Sequence, residues 1–164
     1  MCTDKSPLQL ELGCSSPEET FQFAHRLAQA LLGPQLILLS GTLGAGKTHF
    51  AKGFANGLGI TDEIVSPTFT LSIPYSGRQP LLHVDAYRIE SLDEYDDLGI
   101  DDALENGSLV LVEWPEKIRE ALPDPDLAIS IVVTGDNTRI ISIALDAANE
   151  VLAKAIHSLP GIAD

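Results

Sequence analysis

Eight residues, Gly41-Thr42-Leu43-Gly44-Ala45-Gly46-Lys47-Thr48, restrict this chain more than any other stretch of it. They follow the apolar run Leu36-Ile37-Leu38-Leu39-Ser40 and precede a helical pattern, which is the strand, loop and helix setting that a phosphate-binding loop requires. The spacing of the glycines lets the backbone curl until several N–H groups point inward, and the helix starting near Gly46 adds its partial positive charge. In such a loop Lys47 reaches the β- and γ-phosphates and the Thr48 hydroxyl sits on Mg²⁺. Thr42, Leu43, Gly44, Ala45, Gly46, Lys47 and Thr48 are therefore the candidate nucleotide-binding residues, and the implied ligand is a nucleoside triphosphate with Mg²⁺.

The pattern around the loop predicts alternating strands and helices. Leu8 to Leu12 alternates with period two, as a strand with one buried face does. Ser16-Pro17-Glu18-Glu19 supplies an N-cap, a first-turn Pro and a Glu at the third helical position, so a helix is expected to about Leu32, with Phe21, Ala24, Leu27, Ala28 and Leu31 on one face. The helix after the loop carries Phe50, Phe54 and Leu58 and is expected to break at Gly57 and Gly59. Phe69 to Tyr75 and Leu81 to Ala86 read as a hairpin turning at Ser76-Gly77. Ser91-Leu92-Asp93-Glu94 is a second capping pattern, expected to open a short acidic helix ended by Gly99, and Asp101 to Asn106 adds a helical turn. Leu109 to Val112 reads as a central strand covered on both faces, with a short helix after Pro115. Leu127 to Val133 and Arg139 to Leu145 are strands, and Ala147 to Ser158 is a closing helix. Such a series predicts an α/β fold, a P-loop NTPase-like three-layer sandwich whose mixed central sheet is parallel around the loop and antiparallel where hairpins join. One domain over residues 1–164 is expected, with 1–7 loose.

Charge and cysteine content narrow the partners. With 24 acidic against 10 basic side chains, the net charge of −14 opposes a nucleic-acid backbone, so tight direct binding of RNA or DNA is not expected. Acid is densest between Glu90 and Glu105, a solvated face or a docking surface for a basic protein. Cys2 and Cys14 are too few for a disulfide framework and read as free thiols. No apolar run approaches the roughly 20 residues of a membrane span, and a cytoplasmic location is expected.

A Mg²⁺-nucleotide site also needs a carboxylate, normally where a neighbouring strand ends beside the loop. Two acids qualify. Asp85 ends Leu81-Leu82-His83-Val84, and Glu113 ends Leu109-Val110-Leu111-Val112. Asp85 shares strand parity with His83 and Tyr87, so the three should project to one face while Val84 and Ala86 pack the other. His83 taken alone reads as structural more readily than catalytic.

Behind the loop stand Ser66-Pro67-Thr68-Phe69-Thr70, then His83-Val84-Asp85-Ala86-Tyr87-Arg88, then Val112-Glu113-Trp114-Pro115-Glu116-Lys117. In this order and at this length the set closely resembles the TsaE (YjeE) family of small bacterial ATPases. The resemblance implies a cytoplasmic, Mg²⁺-dependent ATPase that works with TsaB, TsaC and TsaD in making threonylcarbamoyladenosine in tRNA, docking on the TsaB–TsaD pair. By the same resemblance Thr48 and Glu113 would hold Mg²⁺, Asp85 would position metal or water, and Lys47 would neutralise the phosphates. Thr68 would sense the γ-phosphate, or else stabilise a turn through its hydroxyl; Trp114 would lie near the nucleotide, or else pack in the core; and Arg139 stands where the family tends to carry an Arg near the nucleotide. Ala86 departs from the larger apolar residue common there.

No side chain reads as an arginine finger; Arg88 is the nearest by motif. A slow ATPase completed by its partners is therefore expected. Three other readings stay open at this level. A small-molecule kinase would usually carry an Arg-rich lid, whereas the five Arg here are scattered. A GTPase switch is suggested by Asp96-Asp97-Leu98-Gly99, but no Asn-Lys-x-Asp sequence accompanies it. A nucleotide-gated adaptor without turnover is the third.

Overall fold

The computed structural model describes residues 7–67 and 69–163. Seven strands form its sheet: β1 (Leu8–Cys14), β2 (Gln35–Gly41), β3 (Ser72–Tyr75), β4 (Leu81–Asp85), β5 (Leu109–Glu113), β6 (Leu127–Val133) and β7 (Arg139–Leu145). Among the described residues four α-helices accompany them: α1 (Pro17–Ala30), α2 (Lys47–Gly57), α3 (Ile100–Glu105) and α4 (Glu150–His157). The spatial order is β1-β7-β6-β2-β5-β4-β3. β2 runs parallel to both β5 and β6, and β4 runs parallel to β5. The β3–β4, β6–β7 and β1–β7 pairs are antiparallel. This is the mixed sheet that the strand patterns predict, with every parallel pair next to the strand that leads into the glycine loop.

Strand alternation separates two cores. Odd-numbered residues of β2 and β5, such as Ile37, Leu39, Leu109 and Leu111, join α1, α2 and α4 in the larger one. Even-numbered neighbours Leu36, Leu38, Val110 and Val112 join Leu98, Ile100 and Ile118 in the smaller one. Because both faces of β2 and β5 are covered, these strands are apolar over residues 36–39 and 109–112. The three layers follow from that.

Local expectations meet the structure with four differences. α1 is capped as its sequence indicates, the Ser16 side chain accepting from the Glu19 N–H, but its buried face runs through Phe23 and Thr20 while Phe21 is only half-buried. Phe21 instead sits at the edge against α2, its ring 5.9 Å from that of His49. β3 begins at Ser72, not at Phe69, because Leu71 has a left-handed backbone (φ 62) that interrupts extension. The acidic stretch after Ser91 forms two 3-10 turns, Leu92–Glu94 and Asp96–Leu98, in place of one α-helix. Its capping box is present all the same. α4 starts at Glu150, where Asn149 caps it by accepting from the Leu152 N–H, so Ala147 lies outside.

α2 ends at Gly57 as expected, with Gly59 (φ 72) left-handed just beyond it, and packing gives Gly57 a second reason to be glycine. A Cβ at Gly57 would collide with the His25 carbonyl oxygen and lie 2.9 Å from the Ala28 Cβ; one at Gly53 would collide with the Phe21 carbonyl. Two helices lie backbone to backbone here. Gly57→Ala should therefore lower stability by about 1–3 kcal/mol through overpacking, even though Ala is favoured over Gly in helices by ~1 kcal/mol. A urea unfolding midpoint equal to or above that of the wild type would show that α1 and α2 part without cost.

Candidate functional site

A cavity of about 460 Å³ opens where the parallel strands end and α2 begins. Open α/β sheets place their ligand crevices outside the carboxyl ends of the strands, and this one follows that rule. Leu43, Gly44, Gly46, Lys47 and Thr48 line it from the loop and helix side. Gly44 (φ 79) and Gly46 (φ 105) both take left-handed conformations, which a side chain would resist, so the curl of the loop depends on glycine at these two positions. Gly46 is also the N-cap of α2 and offers no side-chain acceptor, leaving first-turn N–H groups for an external one. Ala45 has its side chain in the larger core and its N–H bonded to the Thr42 carbonyl at 3.0 Å. These two residues shape the turn; neither lines the cavity.

The acids arrive from the opposite side. Strand register pairs Asp85 with Glu113 and Leu39 with Glu113, so both carboxylates stand at the same edge as the start of the loop. Odd numbering puts them on the face toward α2, and His83 with them. Glu113 is only 3 % exposed and Asp85 5 %. Glu113 Oε1 lies 2.9 Å from His83 Nε2. Asp85 Oδ1 accepts from the Tyr87 N–H at 2.9 Å and Oδ2 from the Ser66 hydroxyl at 3.3 Å. Each carboxylate is thus held by a donor and still faces the cavity.

Lys47 lies between these groups. Its Nζ donates to the Gly41 carbonyl at 2.6 Å and the Thr42 carbonyl at 3.0 Å, and it rests 4.1 Å from the centroid of the Trp114 ring. Burial pushes the Lys47 ammonium below its usual pKa, while Glu113, Glu116 and Asp85 pull in the opposite direction. Trp114 follows β5 with a left-handed backbone (φ 56, ψ 46), and Tyr87 meets its ring at 4.9 Å. Left-handed geometry in a bulky residue is costly and marks a position that its surroundings hold in place. Here it turns the chain at the strand end and lays the indole over Lys47.

Of the residues that sequence singles out, the structure therefore brings Leu43, Gly44, Gly46, Lys47, Thr48, Asp85, Glu113 and Trp114 to one opening. Arg139 is placed behind the loop, not at the cavity wall. Its Nε donates to the Ala45 carbonyl at 2.9 Å, and Nη1 donates to the Thr138 carbonyl at 3.0 Å. Thr68 lies outside the described residues, as does Cys2. Cys14 is a buried free thiol. Arg88 stacks on Phe69, 4.7 Å from the ring centroid, and does not line the cavity. Asp96, Asp97 and Gly99 are likewise outside its lining, and Leu98 is buried in the smaller core, which removes the structural basis for reading them as a switch.

Ser66, Tyr87, His49 and Lys52 also line the opening. Strand parity signals Tyr87, and the spacing of Thr48 and Lys52, four apart on one helix, signals Lys52. Nothing in the sequence signals His49 as a wall residue, because that depends on the tilt of α2 against α1.

Chemically the lining offers the ammonium groups of Lys47 and Lys52, first-turn N–H groups, the hydroxyls of Thr48, Ser66 and Tyr87, and two carboxylates around a single mouth. That combination suits a polyanion bridged to a hard cation. Mg²⁺ is commonly held by one or two carboxylates together with phosphate oxygens and waters, not by an all-protein cage. Among the described residues no group of three His, Cys, Asp or Glu is placed to cage a metal, so Thr48 with Glu113 or Asp85 fits the former kind of site. Arg139→Ala should cost about 1.5–3 kcal/mol, the worth of a hydrogen bond to a charged donor. Amide exchange at residues 44–47 should quicken in that variant; unchanged exchange would show that the loop holds its curl unaided.

The model of the family described as Threonylcarbamoyl adenosine biosynthesis protein TsaE matches residues 14–141. The tRNA threonylcarbamoyladenosine biosynthesis protein TsaE of Bacillus subtilis (strain 168) is 45 % identical over 135 residues, covering 82 % of this chain and 84 % of that protein. Its counterpart in Treponema pallidum (strain Nichols) is 39 % identical over 129 residues, covering 79 % of this chain and 96 % of that protein. A crystal structure of Bacillus subtilis YdiB superposes with a TM-score of 0.75 at 38 % identity, covering 92 % of this chain and 95 % of that one.

Proposed function

The chain belongs to the TsaE family, and from that premise we propose that it serves threonylcarbamoyladenosine formation in tRNA as a Mg²⁺-dependent ATPase acting on a TsaB–TsaD complex. The observation that carries the activity is the convergence of Lys47, Thr48, Asp85 and Glu113 on one cavity at the mouth of a glycine loop. The pathway role rests on family membership, the ATPase on this geometry. No helix among the described residues is long and apolar enough to cross a membrane.

In this reading the N–H groups of the loop and first turn of α2 clasp the phosphates, and Lys47 turns from the Gly41 and Thr42 carbonyls toward them. Mg²⁺, when bound, neutralises charge that builds on the phosphate oxygens. Thr48 and Glu113 are the residues that would hold it. Asp85, fixed by Tyr87 and Ser66, is placed to orient metal-bound or attacking water. Trp114 and Tyr87 wall the site and limit water around Lys47. Phosphoryl transfer to water asks for positioning and charge cancellation more than for covalent chemistry.

Lys47 and Lys52 are the cations among the residues lining the cavity, and Lys52 stands at an exposed position. With Arg88 stacked on Phe69 outside it, no guanidinium among the described residues lines the mouth. The slow intrinsic turnover and its acceleration by TsaB–TsaD are inferred from this. A single-turnover assay with ATP, run alone and with that complex, separates the two states. Equal rates in both would remove the activation, and absence of turnover in both would favour a nucleotide-gated adaptor.

Lys47→Ala is expected to weaken triphosphate binding about 10–100-fold, given what a hydrogen bond to a charged donor contributes. Calorimetric titration with ATP measures this, and a cooperative melt shows whether the fold survives loss of the two carbonyl contacts. Glu113→Ala is expected to slow hydrolysis by about 10²-fold while changing nucleotide affinity far less, because metal-assisted stabilisation is greatest in the transition state. Equal losses in rate and affinity would assign Glu113 to binding in general.

A further inference from the structure

His83 is buried one residue pair behind the cavity mouth. The parallel register of β4 on β5 pairs it with Leu111, and the next pair on the same face is Asp85 with Glu113. Its Nε2 is 2.9 Å from Glu113 Oε1, with the two side chains 1 % and 4 % exposed. At this distance one of the two atoms donates, and the Nε2–H tautomer of the imidazole supplies the proton to a carboxylate oxygen that accepts. Nδ1 is buried and meets no hydrogen-bond partner among the described residues. An apolar side chain would fill this place with less desolvation, since a buried polar atom without a partner is unfavourable. The histidine therefore has a reason to be here other than packing.

We propose that His83 is a positioning residue that fixes Glu113, its Nε2–H holding Oε1 so that Oε2 is the oxygen presented to the cavity. This rests on the reading of Glu113 as the carboxylate on the metal side of a nucleotide site. Glu113 reaches the mouth from a strand end through three rotatable bonds, and its backbone is already engaged, its carbonyl accepting from the Ala86 N–H at 3.0 Å. The backbone sets where the side chain starts, and the imidazole sets where it ends. Partners of this kind, one bond removed from a metal, orient the ligand and typically change metal affinity about 10–100-fold when lost. Asp85 needs no such device, because the Tyr87 N–H and the Ser66 hydroxyl already hold both of its oxygens.

Two measurements test the assignment. Long-range ¹H–¹⁵N correlation spectra of the ¹⁵N-labelled wild-type protein report which ring nitrogen of His83 is protonated, without any substitution. A protonated Nε2 is expected; a bare Nε2 with the proton on Nδ1 overturns the proposal. Calorimetric titration with a nonhydrolysable ATP analogue across a range of Mg²⁺ concentrations then reads the metal requirement. His83→Leu is expected to raise the Mg²⁺ concentration for half-maximal tightening about 10-fold or more, while His83→Gln, whose amide N–H can replace Nε2–H, returns it most of the way. Metal-free affinity should stay the same in both. A Mg²⁺-dependent wild type with an unshifted His83→Leu overturns this inference alone. Wild-type binding that ignores Mg²⁺ overturns the metal role of Glu113 on which it stands.

Discussion

Parallel pairing of β2, β5 and β4 is the constraint from which the site follows. Parallel neighbours end at the same edge, and the register here sets Glu113 beside both Leu39 and Asp85. The glycine loop leaves from that edge at Gly41, so the ammonium of Lys47 and the two carboxylates come together at one place. The same edge also turns the chain sharply. Left-handed backbone at Gly44 and Gly46 curls one strand end, and left-handed backbone at Trp114 folds the other inward.

Burying these charges demands mutual compensation. Glu113 and Lys47 are both nearly excluded from solvent, and each is held by partners that answer its charge: an imidazole donor for Glu113, two carbonyl acceptors and an aromatic face for Lys47. An unpaired ion at this depth would be strongly unfavourable. Lys47 responds to desolvation with a lowered pKa that the neighbouring carboxylates oppose. Its present partners are weaker acceptors than a phosphate. The cation is thus held beside the cavity by two carbonyls, from which a stronger acceptor would draw it.

Much of this was legible one residue at a time. Glycine spacing announced the loop, continuous apolar runs announced β2 and β5 as covered on both faces, and an acid at the end of each of two runs announced Asp85 and Glu113. Capping residues placed the start of α1 correctly because an N-cap hydrogen bond is local. Errors arose where distant packing intervened. Gly57 ends α2 where its sequence indicates, but that α1 also presses against its missing side chain could not be read locally. Phe21, read as part of the buried face of α1, lies at its edge for the same reason, since which stripe of α1 is buried depends on where α2 lies.

By itself the sequence determined the elements, the phosphate loop and the pair of acid-bearing strand ends, all of which depend on neighbours a few residues away. The tertiary structure decided which strand ends adjoin. Only the order β6-β2-β5-β4 sets Glu113 next to Asp85, brings His83 Nε2 to Glu113 Oε1, and puts the Trp114 ring over Lys47. Periodicity assigns a side chain to a face, whereas the partner it meets there is chosen by long-range pairing and crossover, about which a local pattern carries no information. For that reason Arg139 could be singled out by family resemblance, yet its place behind the loop, bonded to the Ala45 carbonyl, could be found only in the folded molecule.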